Sequence, residues 1–504
     1  MKRQYELAAR NRAAHSELDV IPFDPPKEGR VLSNYLVEYE LQAKSGLPYM
    51  GRFAVYIYES AGKWLYFVKE PYLEPRLSSA VSSAVATLSS WLAPSSVVEL
   101  DPIGYLVAEM ERAGLMANIG VEELKAATHY LARDILGYWI LDPLLRDPEI
   151  EDVSCDGVGR PVKVWHRRLN ATGWLETNVS FPDRDVMDSV VSRLVHRSGR
   201  SISAYSPIVD SVLPEGFRLA ATWGQEVTSL GSSFSIRKQR AEPFTLSELI
   251  KSGSFSAQLA AHLWMMLDLK GFVVISGVTA SGKTTLLNSF ATVLNPAWKI
   301  VSIEDTREIR LPHTGWKPLH TRTIQGGLSI TLFDLVKLSL RERPDFVILG
   351  EARGQEVQAL FQSAAAGTGC ITTFHSPNAE SMAARLTQPP LSVSPSLLEL
   401  IDAAVFMVRD PETGRRRVSQ VVEMTSKGPE VLFSRSDEGQ EGNAAESRKL
   451  GERATAYGFS PRKLSAELQR RTDFLTSAVG RGVATYASLA RELRLFYGSS
   501  SLTL

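Results

Sequence analysis

The chain has 504 residues, more than one hydrophobic core usually supports, so length alone suggests roughly two to four domains. Apolar residues make up 44% and charged residues 22%, the ordinary globular range, which excludes a largely disordered or fibrous protein. Lysine plus arginine and aspartate plus glutamate both number 56, so no global basic excess exists to draw nucleic acid or an anionic membrane, although local patches stay open.

Residues 1–19 carry charge but lack the apolar run that an export signal requires. Apolar windows such as 272–275 are broken by Gly, Lys or Asp long before the ~20 residues needed to cross a bilayer. Membrane association is therefore expected only through a partner. Cys155 and Cys370 lie far apart without CxxC spacing, which fits a reducing cytosol and two small buried apolar side chains.

From 35 to 75 the text is aromatic and alternating, and 53–58 and 64–68 around a Ser-Ala-Gly turn predict a β-hairpin in a small sheet. Helices are predicted over 78–92 and 104–136, with Pro94 and Pro102 punctuating the stretch between them. Strands are expected near 150–154 and 162–165, flanking the turn 156–160, then a helix over 185–198. Short strands follow around 211–213, 217–221 and 233–237, and a helix over 245–252. This mixture is the pattern of an α/β or α+β module.

From 272 to about 424 strands and helices alternate strictly. The strands 272–275, 300–303, 346–349, 370–373 and 404–408 are near-continuous apolar runs, as in a parallel sheet covered on both faces. Residues 434–447 read as a flexible linker rich in Ser, Asp, Glu and Gly, and 461–497 as helical, with apolar positions at Leu464, Leu468, Leu475, Val479, Leu489, Leu493 and Phe496.

After the strand at 272–275 comes Gly277-Val278-Thr279-Ala280-Ser281-Gly282-Lys283-Thr284-Thr285, the pattern G-x-x-x-x-G-K-[ST] in its strand–loop–helix context. The glycines let amide groups converge on phosphate oxygens, and the helix N-terminus adds its partial positive charge. Lys283 would reach the β- and γ-phosphates of ATP, and the Thr284 hydroxyl would hold Mg²⁺. Ala280 stands where many such loops have a further glycine.

Hydrolysis also needs a carboxylate to hold the metal shell or orient water. Glu304 and Glu351 both follow apolar strands, and in an open parallel sheet ligands bind beyond the carboxyl ends of the strands. His375 ends the next apolar strand; a lone histidine there is either structural or a sensor of the γ-phosphate.

This set of motifs resembles the secretion ATPase superfamily of type II secretion, type IV pili, the archaellum and conjugation, its archaeal branch most closely. The residues that carry the resemblance are the Walker A run 277–284, the aspartate box 302–311, the Walker B stretch 340–351 with Asp345 and a terminal Gly-Glu, and the histidine box 367–375. Upstream, 142–153, 213–218 and 235–238 look like the family's N-terminal domain, and Arg385-Leu386 and 418–424 like the end of its motor domain. The family usually follows the Walker B glutamate with Ile or Val, Arg and Asp, whereas this chain has Ala352-Arg353-Gly354, without the aspartate.

The resemblance implies an α/β fold, a RecA-like P-loop motor domain with an α+β N-terminal domain and extensions at both ends. The expected divisions are 1–120, 121–243, 244–433, a linker 434–448 and a helical extension 449–504. It implies a homo-hexamer that holds ATP and Mg²⁺ between its N-terminal and motor domains. The hexamer is expected in the cytoplasm, at the inner face of the membrane through a polytopic platform protein, moving pilin-like or secreted protein. Glu304 would polarise the attacking water, Glu351 would support Mg²⁺ beside Thr284 or share the base role, and His375 would sense the γ-phosphate. Arg218, Arg237, Arg310 and Arg322 are candidates to stabilise phosphoryl charge. Two alternatives stay open: a conjugation-type, DNA-transfer motor, which zero net charge weakens, and a non-hydrolysing nucleotide switch.

Overall fold

The computed structural model describes residues 21–42, 48–91, 104, 108, 111, 119–169, 173–239, 243–322, 329–410, 413–435, 447–483 and 485–498. The opening stretch 1–20, Pro94 and Pro102, most of 104–118 and residues 436–446 of the expected linker lie outside the described residues. The chain divides into two compact units, Met1–Gln239 and Arg240–Leu504.

In the first unit β1 (Arg30–Gln42), β2 (Pro48–Ser60), β3 (Lys63–Lys69), β4 (Ile150–Cys155), β5 (Pro161–His166), β6 (Leu175–Ser180), β7 (Ile208–Val212), β8 (Arg218–Thr222) and β9 (Ser233–Arg237) form one sheet, ordered β1-β2-β3-β6-β5-β4-β9-β8-β7. The aromatic hairpin is thus not a small sheet of its own. Its second strand pairs in parallel with β6, Leu65 opposite Glu176 and Tyr66 opposite Thr177. The Asn178 side chain extends that ladder, accepting from Val68 N at 2.8 Å and donating to Val68 O at 2.8 Å. An edge strand with open amide groups needs such a partner. The hairpin turn, Ala61-Gly62, has positive φ at both residues (50° and 74°), which matches the twist of the strands it joins.

Phe53, Val55, Ile57, Val164 and Ile236 of this sheet share one core with Met187, Val191 and Leu194 of a helix over Arg184–Arg197. A second cluster joins α1 (Pro75–Trp91) to α2 (Val121–Leu131) through Leu77, Val81, Ala84, Tyr130 and Leu131. Beside it the buried Arg133 guanidinium donates to Glu70 Oε1 (2.7 Å) and Asp134 Oδ1 (2.8 Å), and His129 Nε2 lies 3.0 Å from Glu70 Oε1. Arg133 overcomes the burial that would otherwise push the Glu70 carboxyl up, and holds it below the usual range with help from His129.

In the second unit β10 (Phe272–Gly277), β11 (Ile300–Glu304), β12 (Trp316–His320), β13 (Phe346–Leu349), β14 (Gly369–Phe374), β15 (Ala403–Arg409), β16 (Arg416–Thr425) and β17 (Gly428–Ser434) form a sheet ordered β12-β11-β13-β14-β10-β15-β16-β17. The order from β12 to β15 is parallel, and β16 and β17 close it antiparallel. Alternate residues of β10 feed two cores. Val273 and Ile275 join a cluster with the helix Ala257–Asp268, while Phe272 and Val274 join Leu335, Leu360 and Met382 on the other face. Helices on both faces of a parallel sheet define the α/β class.

The C-terminal helical stretch is not continuous. It forms one helix over Pro461–Gly480 and another over Tyr486–Gly498, because Gly482 takes a left-handed φ of 69° and Thr485 caps the second helix by accepting from Ser488 N. Both helices belong to the first of these cores, through Leu475, Ala478, Leu489, Leu493 and Phe496. Arg471 and the Tyr497 hydroxyl converge on buried Asp268, each 2.7 Å from its Oδ2, and Trp264 Nε1 donates to Tyr497 Oη. Among the described residues no helix is long and apolar enough to cross a membrane. Cys155 and Cys370 are buried free thiols.

Candidate functional site

Because β10, β11, β13 and β14 are parallel neighbours, the segments that follow them emerge at the same edge of the sheet. Residues 277–282 follow β10 and lead into a helix over Lys283–Thr292. A Cβ on Gly277 would sit 2.4 Å from Met407 O, and Gly282 has a φ of 94°, so both positions require glycine. Ala280 holds a φ of 61°, left-handed backbone that a non-glycine residue adopts only at a cost. Val278, Thr279 and Ala280 are exposed, Thr284 and Thr285 are half-buried, and Ser281 is buried, its Oγ donating to Val278 O (2.8 Å).

Lys283 is buried, and its ammonium donates to Gly277 O (3.0 Å) and Val278 O (2.9 Å). Burial pushes it below the usual lysine range, with Glu351 acting in the opposite direction. His375 Nδ1 lies 3.4 Å from Lys283 Nζ, and His375 Nε2 lies 3.3 Å from Glu351 Oε1. The imidazole thus bridges the loop lysine and the glutamate two residues beyond β13. Partial burial, and then the neighbouring Lys283, lower the imidazole's proton affinity. Ser276 Oγ donates to Ser376 O (2.7 Å) and Thr373 Oγ1 to Gly350 O (2.6 Å), fastening the three strand ends together.

Glu304 ends β11 and is 3% exposed. Its Oε1 accepts from Glu308 N and Ile309 N, both at 2.9 Å, and its buried Oε2 has no hydrogen-bond partner. Burial pushes the carboxyl up to about 7 despite those two amides. Gly350 leaves room for it, since a Cβ there would come within 3.1 Å of Glu304 Cγ.

Arg310 lies in the loop after β11, where its amide donates to Asn288 Oδ1 (3.0 Å), and exposed Arg322 follows β12 in a bridge with Ile330. Arg218 and Arg237 stand in the first unit, opposite each other on β8 and β9, with Asp152 of β4 opposite Arg237. Asp345 lies at the other end of β13 from Glu351, where it pairs with Lys270 (3.0 Å) and accepts from Lys299 N (2.9 Å).

Three further residues shape this edge. Asn288 holds the loop after β11 at both Glu308 O and Arg310 N; an amide amid the apolar run Leu286-Leu287-Asn288-Ser289-Phe290 is its signal in the sequence. Glu356 Oε1 accepts from Arg353 N (2.8 Å) and Gly354 N (2.6 Å), so it anchors the turn where the aspartate is missing. A Cβ on Gly354 would meet Glu356 Oε2 at 2.9 Å, so glycine leaves room for this carboxylate. Asp305 pairs with Arg353.

A glycine-built turn at a central strand's carboxyl end, a buried lysine inside it and acids on neighbouring strand ends define a P-loop protein of the α/β class. Residues 161–409 match the family described as "Type II/IV secretion system protein". Protein MJ0900 of Methanocaldococcus jannaschii is 34% identical over 398 residues, 75% of this chain and 71% of that one. The type IV secretion system protein PtlH of Bordetella pertussis is 28% identical over 312 residues, 55% of this chain and 91% of PtlH. Among solved structures, the ATPase DotB of Legionella pneumophila is 17% identical, with 65% of this chain and 84% of DotB covered and a TM-score of 0.42. The chain belongs to the type II/IV secretion system protein family.

Proposed function

We propose that the chain is an Mg²⁺-dependent ATPase that works as a homo-hexamer and powers assembly of a type IV pilus-like filament or protein secretion. The observation that carries this reading is Glu304: a buried carboxyl with one oxygen clamped by two amides and the other unpartnered, on the strand edge shared with Lys283. A base with proton affinity near neutrality suits a carboxylate that must take a proton from water at physiological pH.

In this reading the amides of 277–285 and the Lys283 ammonium bind the phosphates, exchanging the loop carbonyls that now occupy Lys283 for phosphate oxygens. The donor set fits: Gly277 and Gly282 take backbone conformations that leave no Cβ at the two bends, and the Lys283 ammonium between them is buried. Thr284 and Glu351 would hold Mg²⁺, an oxygen pair that suits a hard cation. When bound, Mg²⁺ supplies charge neutralisation on the phosphates. Glu304 orients water, His375 links phosphate occupancy at Lys283 to Glu351, and Arg218, Arg237, Arg310 and Arg322 are assigned to phosphoryl charge. The divisions 1–120, 121–243, 244–433, 434–448 and 449–504 are retained as functional regions. The hexamer is placed in the cytoplasm against a polytopic membrane platform, with pilin-like or secreted protein as its cargo.

A second reading, a type IV secretion motor of the conjugation kind, is favoured by the name of PtlH and by a "putative conjugal transfer protein" of Mycobacterium tuberculosis, 28% identical over 319 residues. Turnover stimulated by DNA and falling steeply with salt would select it. The test of the shared core is steady-state ATP hydrolysis with Mg²⁺. Wild-type protein is expected to turn over, and Lys283→Ala to lose at least about a hundredfold in kcat/KM; equal rates would remove the assignment.

A further inference from the structure

The C-terminal helices reach the loop that holds Glu304. Residues 305–315 leave β11 and return at β12, and within them the amides of Glu308 and Ile309 clamp the Glu304 carboxylate. The next residue, Arg310, is held on both sides of its peptide unit: its amide donates to Asn288 Oδ1 (3.0 Å), and its carbonyl accepts from the Tyr486 hydroxyl (2.8 Å). Tyr486 is 176 residues away, at the start of the last helix, and Thr292 Oγ1 lies 2.8 Å from the same hydroxyl. Leu489 and Leu493 of that helix share a core with Ile309 and Leu311. Contact between helix and loop is incomplete, since a cleft of about 60 Å³ lined by Thr292, Pro312, His313, Leu493 and Arg494 lies beside it. Where packing leaves a gap, directional hydrogen bonds fix the backbone.

We propose that Tyr486 is a positioning residue for hydrolysis, its hydroxyl fixing Arg310 and, through the 308–310 backbone, the two amides that hold Glu304. This rests on the assignment of Glu304 above. The C-terminal helices are then part of the catalytic apparatus as well as of the core. Loosening a base by a fraction of an ångström costs rate without costing substrate affinity.

The experiment compares full-length Tyr486→Phe with wild type, with Glu304→Gln and with Tyr497→Phe. The last removes a hydroxyl from the same helix that serves Asp268 rather than the loop. Tyr486→Phe is expected to lower kcat about three- to tenfold, the equivalent of one hydrogen bond, with KM for ATP within about twofold and amide exchange at Glu308 and Ile309 accelerated. Tyr497→Phe is expected to lower the melting temperature and leave kcat unchanged. Thr292→Val, which leaves the last helix intact, is expected to lower kcat in the same direction by less. Wild-type kcat in Tyr486→Phe, or a loss no larger than that of Tyr497→Phe, overturns the proposal. Should Tyr486→Phe not fold, unchanged kcat in Thr292→Val overturns it instead. If Glu304→Gln is inactive while Tyr486→Phe is fully active, only this inference falls; if Glu304→Gln keeps its turnover, the reading beneath it falls as well.

Discussion

The two sheets of this chain distribute their polar groups in opposite ways. In the second unit β10, β11, β13 and β14 are buried at every position, so a functional side chain can emerge only where a strand ends. In the first unit β5, β8 and β9 alternate, with one face buried and the other not, and polar groups occur along the strands. The parallel sheet gathers Lys283, Glu304, Glu351 and His375 to one edge by topology alone. The first unit sets Arg218 and Arg237 opposite each other, and among its helices encloses the charged group of Glu70, Arg133 and Asp134, with His129 Nε2 3.0 Å from Glu70.

That contrast can be broken at each end. The largest stability effect is expected from Arg133→Ala, which leaves Glu70 buried without its cation and should cost about 3–5 kcal/mol in chemical denaturation. A loss near zero would mean that this charged group does not hold the first unit together. Adding Glu70→Gln should recover part of the loss.

Glu304→Gln should act in the opposite direction. The folded carboxyl is pushed up to about 7 from an ordinary value near 4.5, so the folded chain binds more protons than the unfolded one between those values. Its contribution therefore becomes unfavourable as pH rises through that window, and the penalty is complete above it. The amide removes the penalty, so the variant should exceed wild type by about 1–3 kcal/mol at pH 8, with the difference vanishing near pH 4. A constant difference across pH would show that the strand-end carboxylate is not strained by burial.

The smallest effect is expected at Ala280→Gly. Relief of the left-handed backbone is worth about 1 kcal/mol, and the added freedom of the unfolded chain costs about as much. Stability should stay within about 0.5 kcal/mol of wild type and nucleotide affinity should not weaken, as titration with a fluorescent ATP analogue would report.

The parallel sheet was legible in the sequence because its strands are unbroken apolar runs, and those at 300–303 and 346–349 run straight into Glu304 and Gly350-Glu351, so periodicity and chemistry coincide there. The aromatic hairpin was equally plain, but its partner was not. Pairing of β3 with β6 joins residues about a hundred positions apart, and no local pattern encodes it. The break between the last two helices was hidden because apolar spacing continues across Gly482, whose left-handed φ alone ends the first helix. Asn288 left a trace as an amide in an apolar helix. Tyr486 left none, because its role depends on where the loop after β11 comes to lie.

Turnover and nucleotide binding by Glu304→Gln test the account most directly. Affinity for Mg-ATP should stay within about threefold of wild type while kcat falls by about 10²–10⁴, the loss expected when a base is removed and the phosphate cradle is intact. Unchanged kcat would contradict the role given to Glu304, and absence of nucleotide binding by the wild-type chain would contradict the site itself.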